Sequence, residues 1–552
     1  MVSCNGTPAG PSPELIKQMN LKRGTVISCG NPDGKFGIVE FDMTCSEKVK
    51  NDFNLAIELL HSFEYDESEK VFAKVIDAAP DCAMAYWGVA MCNFHPLWNP
   101  PTEPELMKGT EAINIANNIK KKSAREAGYI NAIAQFYNNH ASVNHHMRCV
   151  SFEKAMEQLH TTYPSDKEAA IFYALALDAA AEPTDKTFAH QKKAAALLNA
   201  LYPAEPNHPG IIHYIIHTYD YPGLAALALP AAKKYAAVAP SSAHALHMPS
   251  HIFTRLGLWD DCIQSNLLSV NAAKCYADAA GIKGHWEEEL HGLDYLVYAY
   301  LQKGDNASAQ EQVKYVADMK LIVPLNSKVA YALAAIPSRF FLENKKWKEA
   351  ASTPLHPLAI WQQFPWQAAM VHFARVMGAI HIKNNALADS EMVQLTRLYD
   401  TLNAQKDGYK AHQLAVQIKT ATAWQLLYAG KKSAAITSMA LAADMEDSTE
   451  KSPVTPGEIL PARELLGDML LQVGQYQQAL NEYETILKKS PNRFNSLFGA
   501  GMAAQKMGNR STALTYYQQL VAITATNSTR PELVTVRDYF TSTIVLNRPA
   551  TE

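Results

Sequence analysis

No apolar run in this 552-residue chain reaches the roughly 20 residues that a membrane-spanning helix requires. The eight cysteines fall without CxxC or zinc-knuckle spacing, so thiolates define no metal framework. Long β-branched runs are scarce, which leaves little material for a sheet core. There is no GxSxG elbow, HExxH pair, Walker loop or GxGxxG fingerprint, so the familiar local signatures of hydrolases, zincins and nucleotide binders are missing. Nor is one sign of charge in excess. Fifty Lys and Arg face 54 Asp and Glu, giving a net charge of −4, so no field draws the chain to nucleic acid or an anionic membrane.

What is present is Ala- and Leu-rich helix-forming sequence with a period. Gly474, Ala479, Leu480 and Tyr483 recur as Gly508, Ala513, Leu514 and Tyr517, each at an offset of 34. Small residues let two helices approach closely, and the aromatic fills the space between successive pairs. In residues 49–82, Ser68, Phe72 and Pro80 take the small, aromatic and terminating positions of the same unit. On these residues the chain resembles the tetratricopeptide repeat family, whose repeat is 34 residues. The resemblance implies an all-α, right-handed α-solenoid of helix hairpins with a concave inner face. The segments AMAYWGVAM, HPGIIHYIIHTYDYP, AHALHMPSHIFTRLG and PARELLGDMLL also resemble bacterial tetratricopeptide proteins carrying paired HxxxH motifs. That likeness implies a fold and supplies no reaction.

The organisation expected along the chain follows. Residues 1–23 read as a flexible tether, and MVSCNGTPAGPSPE resembles the start of a mature bacterial lipoprotein. A lipid anchor at Cys4 and an extracytoplasmic location are then expected, with Cys29, Cys45 and Cys82 available for disulfides; otherwise Cys4 is incidental and the chain cytoplasmic. Residues 24–45 alternate apolar and polar around Asn-Pro-Asp-Gly, which predicts a small N-terminal β-hairpin cap. A tetratricopeptide-like solenoid is expected over 46–323, irregular helical repeats over 324–449, a linker at 450–461 and C-terminal repeats over 462–545.

The densest chemistry lies between residues 208 and 251, a stretch that holds six of the chain's 19 histidines. His213 and His217 stand four apart, and His247 and His251 repeat them at an offset of 34. Residues four apart share a helix face, so each pair can reach one ion, and neighbouring helices let pairs converge. By the family resemblance these positions, with His244, Asp220, His291 and Asp294, face the concave groove. The expected metal ligands are His213, His217, His244, His247, His251 and His291. Asp220 and Asp294 could complete the shell or orient an imidazole, and His208 or His285 could join from loops. Arg255 offers an anion contact or a partner for Asp260 and Asp261, and Glu288 a general base or an acidic first turn. Pro249 interrupts the second pair, so its helix either kinks there or starts there.

Two kinds of function fit. One is a metal-dependent enzyme with a copper, zinc or iron ion in the groove, acting on a small molecule or peptide by oxidation or hydrolysis; Asp220, Asp294, Glu288 and Arg255 would assist. The other is an interaction module that binds a peptide or protein partner in the groove, or a protein that stores or delivers metal without turnover.

Overall fold

A computed structural model describes residues 10–97, 100–182 and 185–546; Cys4 lies outside them. The fold is all-α and tetratricopeptide-like, 70% helical, and the strands among the described residues are the two-residue parallel pair His285–Trp286 and Ile322–Val323. The chain divides into two compact units: Met1–Asp220 with Leu227–Ile252, and Tyr221–Ala226 with Phe253–Glu552.

In unit 1 the inner helices are Lys50–His61, Ala83–Cys92, Ala124–Tyr137, Lys167–Ala180 and Pro209–Thr218, each followed by an outer partner. Local chemistry sets their starts. Ser123 and Glu126 form a capping box, Asp166 caps Ala169, and Pro209 occupies the first turn behind His208. The small-against-aromatic rule of the repeat holds in space: a Cβ on Gly88 would lie 2.2 Å from the Phe72 ring. Inner helices pack on their sequence neighbours, but Lys50–His61 also packs on Pro209–Thr218, the fifth inner helix. The inner faces therefore close on one another. Phe41, Trp87, Tyr129 and Phe172 fill the space between them, with ring centroids 5.4–5.8 Å apart along the chain of contacts.

No hairpin forms at 24–45. Residues 24–43 form no strand; loop segments flank a turn at 31–34, and their backbone groups bond instead to helix side chains and loop backbone. Ile27 N–H donates to Glu67 (2.8 Å), Val39 N–H to Glu58 (3.3 Å) and Phe41 N–H to Asn54 (3.1 Å). Lys35 and Ser241 exchange backbone and hydroxyl bonds, and Ile38 N–H reaches the Asn207 carbonyl. The alternation does mark a segment with one buried side, but that side faces helices. Gly37, at φ 112°, lies where a Cβ would strike Pro209, so the strap needs glycine there. A disulfide joins Cys45 to Cys82.

Unit 2 runs from Trp259–Ala279 through Glu532–Leu546. Its last repeats match the sequence period closely. Gly474 and Gly508 take left-handed turns (φ 87° and 76°), and Tyr483 lies between Gly467 and Gly499. Arg493 is fully buried, donating to Glu464, Glu343 and Tyr298, and so fastens three helices together. Segment 450–461 is largely buried against these helices.

Two expectations follow. The Cys45–Cys82 bond closes a loop with a separation of 37 residues, so Cys82→Ser should cost about 3–4 kcal/mol on the chain-entropy account, read as a lower denaturation midpoint. Asp178, which accepts from Thr218 (2.7 Å), has its carboxyl raised by burial to about 7. A folded pKa above the unfolded one gives stability that is complete below pH 4 and lost as pH rises through 7, by at most about 1.4 kcal/mol per unit, reduced by partial exposure. Asp178→Asn should flatten this slope in melts run from pH 4 to 8.

Candidate metal centre

Within unit 1, His213, His217 and His244 converge and His247 and His251 meet beside them, in the interior. His213 and His247 are fully buried, His251 and His244 nearly so, and His217 is half-buried. The expected concave groove is filled at this point because the inner helices close on one another. Phe63, in the left-handed turn between Lys50–His61 and Tyr65–Ala78, covers the site with its ring 4.5 Å from that of His213 and 5.7 Å from those of His217 and His244. Tyr235 stacks on the other side of His213 at 5.2 Å.

The hydrogen bonds show which nitrogens are available. His213 Nδ1–H donates to the His61 carbonyl at 2.6 Å, which leaves its Nε2 as a lone pair. That Nε2 lies 2.9 Å from His217 Nε2 and 3.2 Å from His244 Nε2. Three imidazole nitrogens thus point at one spot. Ligands about 2.05 Å from a tetrahedral ion stand about 3.3 Å apart, so a small outward adjustment of the rings would admit one. Burial first, then the neighbouring imidazoles, hold His213 and His217 well below the ordinary histidine range, keeping both neutral as metal ligation requires.

A second convergence lies beside the first. His247 Nε2 and His251 Nε2 are 3.1 Å apart, and the Asp220 carboxylate is 3.1 Å from His251 Nδ1. Asp220 is therefore an orienting carboxylate. The His217 and His251 rings, with centroids 6.3 Å apart, connect the two foci. Pro249 starts the helix Pro249–Leu256, and His244 and His247 belong to the short helix Ala243–His247 before it. The break lets His247 and His251 face each other although they belong to different helices.

Glu168 binds two more imidazoles, accepting from His61 Nε2 (2.9 Å) and His208 Nε2 (2.8 Å). His208 Nδ1 accepts from Ile211 N–H, and His61 Nδ1 meets the Tyr214 hydroxyl (2.9 Å), so both rings are committed. Both carboxylate oxygens are occupied. Burial pushes this carboxyl up, but the two imidazoles outweigh it and hold the group ionised. This cluster is a hydrogen-bonded brace, and His208 acts through it.

The remaining expected residues belong to unit 2. Asp294 pairs with Arg339 through Oδ1, and burial raises its carboxyl to about 6. Glu288 forms an ion pair with Lys328. Arg255 is buried, and its charge acts on Glu458 and Tyr409. His285 bonds Glu289 at 2.8 Å, and His291 is buried with its ring edge-on to Tyr295. Sequence reading missed His61, Phe63 and Glu168; only Glu168, an acid opening the apolar run EAAIFYALAL, gave any local signal.

No family model matches the chain, and no curated protein does. Solved helical-repeat structures do. The human IFIT1 dimer with PPP-AAAA covers 84% of this chain and 94% of its own at 11% identity and a TM-score of 0.37. Yeast Tom70 covers 91% and 98% at 10% identity and 0.31, and the TPR domain of P58(IPK) 68% and 99% at 12% and 0.21. Likeness at this level carries no ligand or activity across.

The brace has its own test. Glu168→Gln keeps the shape but sets an amide N–H against a ring N–H, and should cost about 2 kcal/mol or more in urea unfolding while leaving metal stoichiometry unchanged.

Proposed function

We propose that unit 1 binds a transition-metal ion, copper or zinc, through His213, His217 and His244, and that the protein holds or delivers this ion. The observation that carries the reading is the convergence of three buried Nε2 atoms on one spot, one of them tautomerically fixed by a backbone carbonyl. His247 and His251, the latter held by Asp220, offer a second ion two ligands. Burial of these rings favours retention over turnover. An ion held here would supply Lewis acidity or, as copper, a one-electron couple. The Cys45–Cys82 disulfide supports an extracytoplasmic location, where such bonds persist.

A second reading, an interaction module for a protein or peptide partner, rests on the tetratricopeptide-like fold itself. It predicts partner binding that is indifferent to metal.

Metal analysis of the purified full chain, stripped and reloaded with copper or zinc, separates the two. The wild type should retain one or two ions per chain, and an ion at 100-fold its Kd should add about 2.7 kcal/mol of stability, seen as a higher melting temperature. Asp220→Asn should weaken the second ion about 10–100-fold. Unchanged stoichiometry in a His213→Ala/His247→Ala variant would sink the proposal.

A further inference from the structure

The three-imidazole focus of unit 1 brings no negative charge to an ion. Among the described residues, the group that gathers at this point is His213, His217 and His244, with no carboxylate and no thiolate in it. The acids of the neighbouring turns are engaged elsewhere. Glu168 accepts from His61 and His208, Glu64 accepts from the Ser242 hydroxyl at 2.6 Å, and Asp220 stands on His251 Nδ1 at the second focus. The two foci therefore differ in charge, since Asp220 serves the second.

The walls of the first focus are aromatic faces. The Phe63 ring is common to all three imidazoles, 4.5 Å from His213 and 5.7 Å from His217 and His244. Tyr235 stacks on His213, and its hydroxyl is turned to Ser62 Oγ (3.3 Å). A cation held here keeps its whole charge. The cost of burying an ion rises with the square of that charge, so a divalent ion costs about fourfold more than a monovalent one. Zinc and cupric copper also call for a further ligand, a water or an anion, to complete their geometry. The Phe63 ring supplies none.

We propose that His213, His217 and His244 select cuprous copper over zinc and cupric copper, an inference that rests on the metal-binding reading above. A monovalent, closed-shell ion is satisfied by a low coordination number and needs no counter-charge, which is what three neutral nitrogens under an aromatic ring provide. The ion enters and leaves in the cuprous state, so no redox step is involved.

Anaerobic competition of the stripped full chain against bathocuproine disulfonate for cuprous copper, and against 4-(2-pyridylazo)resorcinol for zinc, tests the choice. The chain should hold the cuprous ion at least about tenfold more tightly than zinc. Asp220→Asn, which weakens the second focus, should keep that preference, and His213→Ala should abolish it. Phe63→Asn suits the left-handed turn and admits a polar ligand, so it should narrow the preference about tenfold while binding continues; it decides the matter if His213→Ala fails to fold. Retention of neither ion overturns both this inference and the reading beneath it. Zinc held as tightly as cuprous copper in the Asp220→Asn chain, or a preference untouched in folded Phe63→Asn, overturns this inference alone.

Discussion

The bond from His213 Nδ1–H to the His61 carbonyl joins the first inner helix of unit 1 to the fifth. It satisfies a carbonyl at a helix C-terminus, where the chain's own ladder offers no donor. It also fixes one tautomer deep in an apolar interior. The lone pairs of the cluster can aim at a common point only because this ring cannot turn. Phe63, two residues beyond His61, shields the result from water, so one turn of chain both orients and seals the site.

Glu168 supports that arrangement from behind. By holding His61 and His208 it ties the fourth inner helix to both helices that bear the bond. An ionised carboxylate in the interior is costly unless its lone pairs are filled. Two imidazole N–H donors fill them, and neither ring needs to be charged. The same polar chemistry that is expensive in isolation thus becomes a joint among three helices.

Much of this was legible in the sequence where the informative residues are close together. The offset of 34 gave the helix pairs, and HxxxH spacing gave the shared face of His213 with His217, whereas His247 and His251 meet across the break at Pro249. Asp220 was legible as a repeat position that the family resemblance implied, 31 residues before its partner His251. What stayed hidden lies far along the chain: His61 is 152 residues from His213 and 107 from Glu168. A repeat pattern specifies how each unit packs on the next, and is silent on the first meeting the fifth. That silence is why an open groove was expected where the interior is closed. The alternation at 24–43 likewise reports one buried side without naming what buries it.

The strap has a consequence for how unit 1 comes apart. Stacked repeats ordinarily fray from their ends, because a terminal unit has a neighbour on one side only. Here the strap bonds to Glu58 and Glu67 of the first pair and also to Asn207 and Ser241 near the last. Neither end is a loose end. A hoop must be cut before it can unroll, so the repeats of unit 1 should share a single opening event, and any guest enclosed within them would exchange no faster than that event.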